Sequence, residues 1–487
     1  MKRVILSLAA TSFLATSGAV AATNAELEAK LKLLEEQMAE IKKELSKTNT
    51  TLTKTKTTLN EVKAHDAFDN IKWSMDFRNS VDFINYDYNS YTANGEDLSG
   101  TSASNDGLLT SRLYLNMKAA PADKLTFNGQ LAMYGIWGGE LYSKDAALKE
   151  WVGSSRADDT LLRVRQAYFV WSDTFGEGGM PYAFSIGRRQ STDGFLANHR
   201  ENMSEPGSPL AHITNMEVDG AMLKLDLDEY VLPGSFVKFV YGRAHSGGIE
   251  TLFDSTGIYE PYAQASGDIN ENVDFFVVLG SLYNDGQYNL MFQNATIFDT
   301  KGARDGLDVG DPLPEGGKNQ ALDAGTANLS ALSLQADGVG NGINDFLDET
   351  TAFVSLAATR YMPNSGHQLL GSTDDETGYS YWLGFTVPDM VTEDGRFGFE
   401  FNHGSKYWTP MTWAEDTAIG SKVAVRGDAL EAYWNFNLFG SENLASQIRY
   451  TYAQHDYTPS IRCAGWVTPQ NVDIEASDLR FFINYHY

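Results

Sequence analysis

Cysteine is nearly absent: the 487 residues hold one, Cys463. That excludes an intrachain disulfide framework, a CxxCH haem site and a four-thiolate zinc site. No run of about 18 apolar residues occurs, which excludes a helical membrane span. Basic residues are scarce, 37 Lys and Arg against 64 Asp and Glu, for a formal charge of −27. A nucleic-acid partner needs a basic face to neutralise phosphate, so none is expected. GxSxG, HExxH and P-loop motifs are missing, and the scattered histidines pair with no serine in a recognisable motif. Enzymatic activity, a cofactor and a structural metal are therefore not expected. Aromatics are plentiful at 12%. Two classes remain, a secreted multidomain β-protein and an outer-membrane β-barrel.

Residues 1–21 read as a secretory signal peptide. Lys2 and Arg3 form a basic start, Val4 to Leu14 a short apolar core, and Ala19-Val20-Ala21 a small-x-small cleavage site. Residues 22–65 read as a periplasmic coiled coil. Leu27, Leu31, Leu34, Met38, Ile41, Leu45, Leu52, Leu59 and Val62, with Thr48 and Thr55 in the seam, alternate steps of four and three. That is an a/d heptad pattern, so the segment should self-associate. A homotrimer is the expectation, with tethering to peptidoglycan or a periplasmic partner as a further role. Together these two segments are slightly basic, so the acidity belongs wholly to the body, residues 66–487.

The body alternates with period two, as strands with one apolar face do. Ile71, Trp73, Met75, Phe77, Val81 and Phe83 oppose Lys72, Ser74, Asp76, Arg78, Ser80 and Asp82. Similar runs start near 112, 125, 161, 182, 217, 235, 273, 287, 351, 378, 396, 429, 444 and 479, fifteen in all. A sixteenth is expected around Phe253 to Tyr262. Many runs reach about ten residues, and short turns alternate with long loops at 89–107, 138–159, 190–215, 299–350 and 455–475. The expected fold is thus all-β: an antiparallel transmembrane barrel of about 16 strands, within 14–18, behind a short helical coiled coil. The apolar side should face outer-membrane lipid and the polar side a water-filled lumen. Leu479, Phe481, Ile483, Tyr485 and Tyr487 form a terminal alternating strand that resembles the signal read by the outer-membrane assembly machinery.

Lumen-facing charge marks the expected pore. Arg163 and Arg165 lie two apart on one strand, opposite Leu162, Val164 and Tyr168, and Arg112 and Lys118 belong with the same wall. Arg189 should face the lumen beside paired Arg188, and the loop with Asp193, Arg200 and Glu201 could fold inward to narrow the pore. Arginines opposite carboxylates would set a transverse field there. The acidic body would enrich cations at the mouth, a basic constriction anions inside, and the overall balance leans to cations. In the loop 299–350, Asp337, Asn341, Asp345 and Asp348 occupy calcium-loop offsets, but Val339 breaks the pattern.

Three runs carry a resemblance: RLYLNMKAAPADKLTFNGQLAMYGIW at 112–137, GRRQSTDG at 187–194 with the NHREN loop, and ITNMEVDGA at 213–221. With the signal peptide and coiled coil they resemble a family of exported bacterial porin-like proteins known only as a domain of unknown function. The order of parts is also similar to phosphate-selective porins, although a dense arginine ladder is lacking. The resemblance implies an outer-membrane barrel and supplies no substrate. Passive diffusion of small hydrophilic solutes or ions is the expected activity. An anchor, tether, adhesin or sheath for a partner protein, without an open pore, is the alternative.

Overall fold

The computed structural model describes Lys32 and residues 71–93, 95–137, 162–176, 178–245, 272–304, 323–340, 342–392, 394–412, 417–460 and 468–487. The chain divides into two units, Met1–Asp69 and Asn70–Tyr487. The signal segment, the coiled-coil seam, Asn341, Cys463 and the 253–262 segment lie outside the described residues.

The second unit is a closed antiparallel barrel of sixteen strands. In chain order they are β1 (Lys72–Ser90), β2 (Thr101–Ala122), β3 (Leu125–Ile136), β4 (Arg163–Thr174), β5 (Pro181–Ser191), β6 (Met216–Asp226), β7 (Phe236–His245) and β8 (Val273–Asn284). Then follow β9 (Tyr288–Lys301), β10 (Asp323–Asp337), β11 (Thr351–Pro363), β12 (Glu376–Pro388), β13 (Arg396–Gly404), β14 (Gly427–Asn437), β15 (Leu444–Tyr457) and β16 (Asn471–His486). Each strand pairs with its sequence neighbour, and β1 closes on β16 from Asp76↔His486 to Ser90↔Asp473. Closure leaves no free sheet edge, the condition for crossing hydrocarbon with strands. Short connections, such as 123–124 and 285–287, share one rim with the start of β1 and the end of β16. Longer ones, such as 137–162 and 192–215, share the other.

Alternation fixes the faces. Trp73, Phe83, Phe184, Ile186, Phe385, Phe399, Leu479 and Tyr485 are exposed on the outside. Arg78, Asp82, Glu400, Glu431 and Arg480 are buried inside. The terminal positions Leu479, Phe481, Ile483 and Tyr485 share the outward face of β16, and Tyr487 follows the strand.

Three expectations are corrected. The sixteenth strand is β10, inside the stretch assigned to a loop at 299–350, because β7 pairs directly with β8. Its polarity runs against the rule: Ala327, Leu329 and Ala331 point inward, and Asn328 and Ser330 lie on the outer face, bonded to Asn294. The lumen is not polar all round, since Phe275, Val277, Leu279, Met291, Ile297, Leu329, Phe353 and Trp382 are buried on the inner face of β8–β12. Tyr168 lies on the lumen side with Arg165, because the ladder slips between Gln130↔Gln166 and Leu131↔Val164, so that Arg165 is bulged and the phase reverses. The segment with the broken calcium-loop spacing is a turn on the short-connection rim. Its helix α1 (Asp345–Asp348) is capped by Asn344, Asp348 accepts from the Gly342 amide, and Asp337 accepts from Gln335 and Thr351. Those carboxylates serve separate partners, and among the described residues no cluster of three metal ligands forms.

The connection between β13 and β14 folds into the barrel. Trp408 is fully buried, seated on Gly378 and Gly404, where any Cβ would meet its backbone or ring at 2.6 Å or less. The Arg426 guanidinium donates to the Trp408 carbonyl (2.9 Å) and Thr409 Oγ1 (2.7 Å). Lys422 is buried between Glu400 (2.6 Å) and Glu431, and Glu431 also accepts from Thr451. Taking away one member of such a set strands the others as desolvated charge. Lys422→Ala should therefore lower unfolding stability by about 3–5 kcal/mol. The urea midpoint of the detergent-solubilised barrel, followed by its heat-dependent electrophoretic mobility, measures it; an unchanged midpoint would show the pair contributes nothing.

Candidate pore constriction

Residues 192–215, between β5 and β6, cross the barrel interior. Apolar side chains drive them in: Phe195, Leu196, Leu210 and Ile213 are at most 1% exposed and pack in one cluster with the inner face of β8–β12. Burying each is worth about 1.5–3 kcal/mol. Two glycines let the limbs of the loop touch. A Cβ at Gly194 would meet the Pro209 carbonyl at 2.2 Å, and one at Gly207 the Thr192 carbonyl at 2.3 Å. Asp193, Leu196 and Asn202 hold φ of 51°, 82° and 51°. For a leucine that conformation is strained, and dense packing holds it.

Polar contacts finish the docking. Gln293 accepts from the Leu210 amide and donates to Thr214 Oγ1. His212 is fully buried, 2.8 Å from both Ser355 Oγ and Ser380 Oγ and against Trp382 and Trp408. Burial pushes its proton affinity down to about 3, so it sits there neutral. The second inward connection joins the first by backbone bonds, Asn215 N to Met411 O (2.7 Å) and Met411 N to Ile213 O (3.0 Å).

The tip reaches the opposite wall. The Arg200 carbonyl accepts from Asn435 and Gln447, and Glu201 receives Arg78 (2.6 Å), Arg200 (3.1 Å) and, at 3.9 Å, Arg449. Thus one loop is fixed by apolar packing at one end and by charge at the other, and it divides the lumen.

The undivided space is a cavity of about 1050 Å³ between this loop and the wall. Its lining runs from Asn437, Asn484 and His486 near the short-connection rim to Ala244, Val273 and Thr300 near the other. One side is basic. Arg112 pairs with Asp76 (3.1 Å), and Arg165 binds Glu217 (2.7 Å), Gln130 (2.9 Å) and Thr192 (3.1 Å). Both guanidiniums lie over the Tyr114 ring, at 4.4 and 4.5 Å. Arg189 lies over Tyr168 at 4.5 Å, and Lys238 donates to Ser208 of the loop (3.0 Å). Burial holds the Asp193 carboxyl above the ordinary carboxylate range, helped by Glu201 and opposed by Arg165, Arg112 and Arg200.

Of the residues expected from sequence, Arg112, Arg165, Arg189, Asp193 and Glu201 meet at this cavity. Arg200 is buried in the loop tip rather than exposed to the space. Arg188 is exposed on the outside, bound to Asp219, so no inward arginine pair forms. Arg163 and Lys118 are exposed and outside the cavity lining. Sequence reasoning passed over Arg78, Lys238, Glu400, Lys422, Glu431 and Arg449. Strand parity was the available signal for most of them: Glu400 alternates with Phe399 and Phe401, and Arg78 with Phe77.

No curated protein matches the sequence. Solved structures are similar over most of the chain. The outer membrane channel DcaP of Acinetobacter baumannii is 12% identical with a TM-score of 0.42, over 86% of this chain and 97% of that one. An anion-selective porin from Comamonas acidovorans is 11% identical with a TM-score of 0.46, over 86% and 99%. Pseudomonas putida OprB is 12% identical with a TM-score of 0.44, over 88% and 96%. The family described as "Protein of unknown function (DUF3373)" matches residues 102–482, most of the chain, and the chain belongs to that family.

Proposed function

We propose that the chain is a porin-like channel of the outer membrane, through which small hydrophilic solutes and ions diffuse past the loop at 192–215. The observation that carries this reading is the cavity whose lining extends from one rim of the barrel to the other. An apolar exterior without sheet edges suits residence in lipid. A sixteen-stranded wall has room for an aqueous path even with two connections folded inside. In this reading residues 1–21 direct export, and residues 22–65 form the periplasmic coiled coil that joins or tethers protomers, with a trimer expected.

Charge at the narrow part supports anion preference, against the cation preference expected from total composition. Arg78, Arg112, Arg165, Arg189 and Lys238 line the cavity against Asp76, Asp193 and Glu201. A low-dielectric wall focuses such a local excess on passing ions.

Three outcomes follow. Purified protein in a planar bilayer should show steady openings, and a KCl gradient should give a reversal potential of the sign for chloride preference. A folded, silent protein would overturn the channel reading in favour of an anchor or sheath. Replacing Asn198–Ser208 by a short glycine linker should raise single-channel conductance severalfold, since the limbs at Phe195 and Pro209 already touch. Unchanged conductance would show that the loop is not the narrow point. Finally, Asp193 loses its charge as pH falls through its raised pKa. Anion preference should therefore grow at mildly acid pH, above the ordinary carboxylate range, and the growth should vanish in Asp193→Asn. Selectivity measured from pH 7 down to pH 5 reads this.

A further inference from the structure

Among the described residues, two cations of the cavity lining lack a carboxylate. Arg78, Arg112 and Arg165 each bind an acidic side chain. Among the described residues Arg189 and Lys238 form no ion pair: Arg189 rests on the Tyr168 ring with its Nε buried and unbonded, and Lys238 has only the Ser208 hydroxyl and the Phe236 ring. Both are half-buried and line the same cavity, and the charges of Lys224 and Arg189 repel Lys238. Lys224 lies 3.7 Å from Asp226. Partly desolvated cations that share a cavity without counter-charge are costly, and the cost falls when an anion enters.

The surface beside them is apolar. Lys238 on β7 stands opposite Leu279 on β8, and Val240 opposite Val277. The Phe275 ring lies over Gly242, where a Cβ would meet its Cζ at 2.3 Å, so it is held flat against the wall. Ile297 on β9 pairs with Phe275, and all of these line the cavity. Water gains little from such a wall, whereas a hydrocarbon or aromatic group gains from covering it. The space, about 1050 Å³, admits a small organic molecule with water beside it.

We propose that this part of the lumen is a binding station for organic anions with an apolar body: a carboxylate held between Arg189 and Lys238, with its hydrocarbon or ring against Phe275, Val277 and Leu279. The proposal rests on the channel reading for its purpose but not for its test. Two probes separate the contributions of charge and apolar body. Benzoate has both, formate only the charge, and benzyl alcohol essentially only the body.

Isothermal titration of the folded barrel in detergent, without any conductance, should show benzoate binding at least about tenfold tighter than formate or benzyl alcohol. Lys238→Met and Arg189→Met should each weaken benzoate about tenfold. Phe275→Asn should remove the advantage of benzoate over formate and leave formate unchanged. Heat-dependent electrophoretic mobility confirms that each variant is folded, and the three variants stand in for one another if one is not. In bilayers, benzoate should block chloride current with the same order of affinity. Equal binding of formate and benzoate would overturn the apolar half of the proposal, and wild-type affinity in both cation variants would overturn the charged half. Benzoate binding in a silent protein would leave the station standing and the channel reading refuted; open channels that bind no benzoate would do the reverse.

Discussion

A chain that crosses hydrocarbon must satisfy every backbone N–H and C=O within itself. Here β1 pairs with β16, and the ladder closes. Everything else is conditioned by that closure. The outer face must then be apolar, while the inner face is released from the rule. Any composition is allowed inside, provided what points inward finds a partner there. The barrel uses this freedom unevenly. One arc, β8–β12, presents Phe, Val, Leu and Trp inward, and the remainder presents charge. Apolar inner side chains would lie against water unless something covered them; the loop at 192–215 covers much of that arc, and Phe275, Val277 and Leu279 also border the cavity.

The loop's two attachments are different in kind, and each constrains the other. The apolar end is tolerant of direction; burial of Phe195, Leu196 and Ile213 depends on area removed from water. The charged end is directional. Glu201 must meet Arg78, and the Arg200 carbonyl must meet Asn435 and Gln447. Strain at Leu196, of order 1–3 kcal/mol, is retained because both ends are already fixed. Charge around Glu201, Glu431 and Glu400 is buried as a network, so the tip cannot leave without stranding several arginines. The loop is therefore a fixed partition rather than a swinging gate, and the cavity lies mainly between it, β1–β9 and the short-connection ends of β14–β16.

Strand existence and facing were legible wherever one face was apolar and the other charged, as along Trp73 to Phe83 or Phe397 to Phe401. In the apolar arc the runs of β8, β9, β11 and β12 were still found, but β10 was not. In β10 the inner positions are Ala327, Leu329 and Ala331 because the loop packs there, and the outer ones include Asn328 and Ser330 because they bond laterally to Asn294. Local alternation carries no record of a loop more than a hundred residues away. A single bulge at Arg165 likewise reversed the face of Tyr168. The site was half-legible for the same reason. Arg112, Arg165 and Arg189 stand out by parity, but which cations keep a carboxylate depends on partners such as Glu217 and Glu201, brought near only by the closed wall.

That last distinction bears on selectivity. The net charge of −27 is a property of the whole chain, and at physiological salt its influence fades over about 8 Å. In the proposed channel a permeating ion would be surrounded by protein on all sides, where screening is weak and field lines are confined. It therefore responds to the few groups within a Debye length of its path. Among them the paired arginines are largely neutralised by Asp76, Glu217 and Glu201, and the surplus is carried by Arg189 and Lys238. In the proposed channel, acidic residues at a mouth would raise the concentration of cations there, but the barrier that sets the ratio of fluxes would be inside. A strongly acidic protein with the proposed basic passage is thus no contradiction, because the two charges would act at different places.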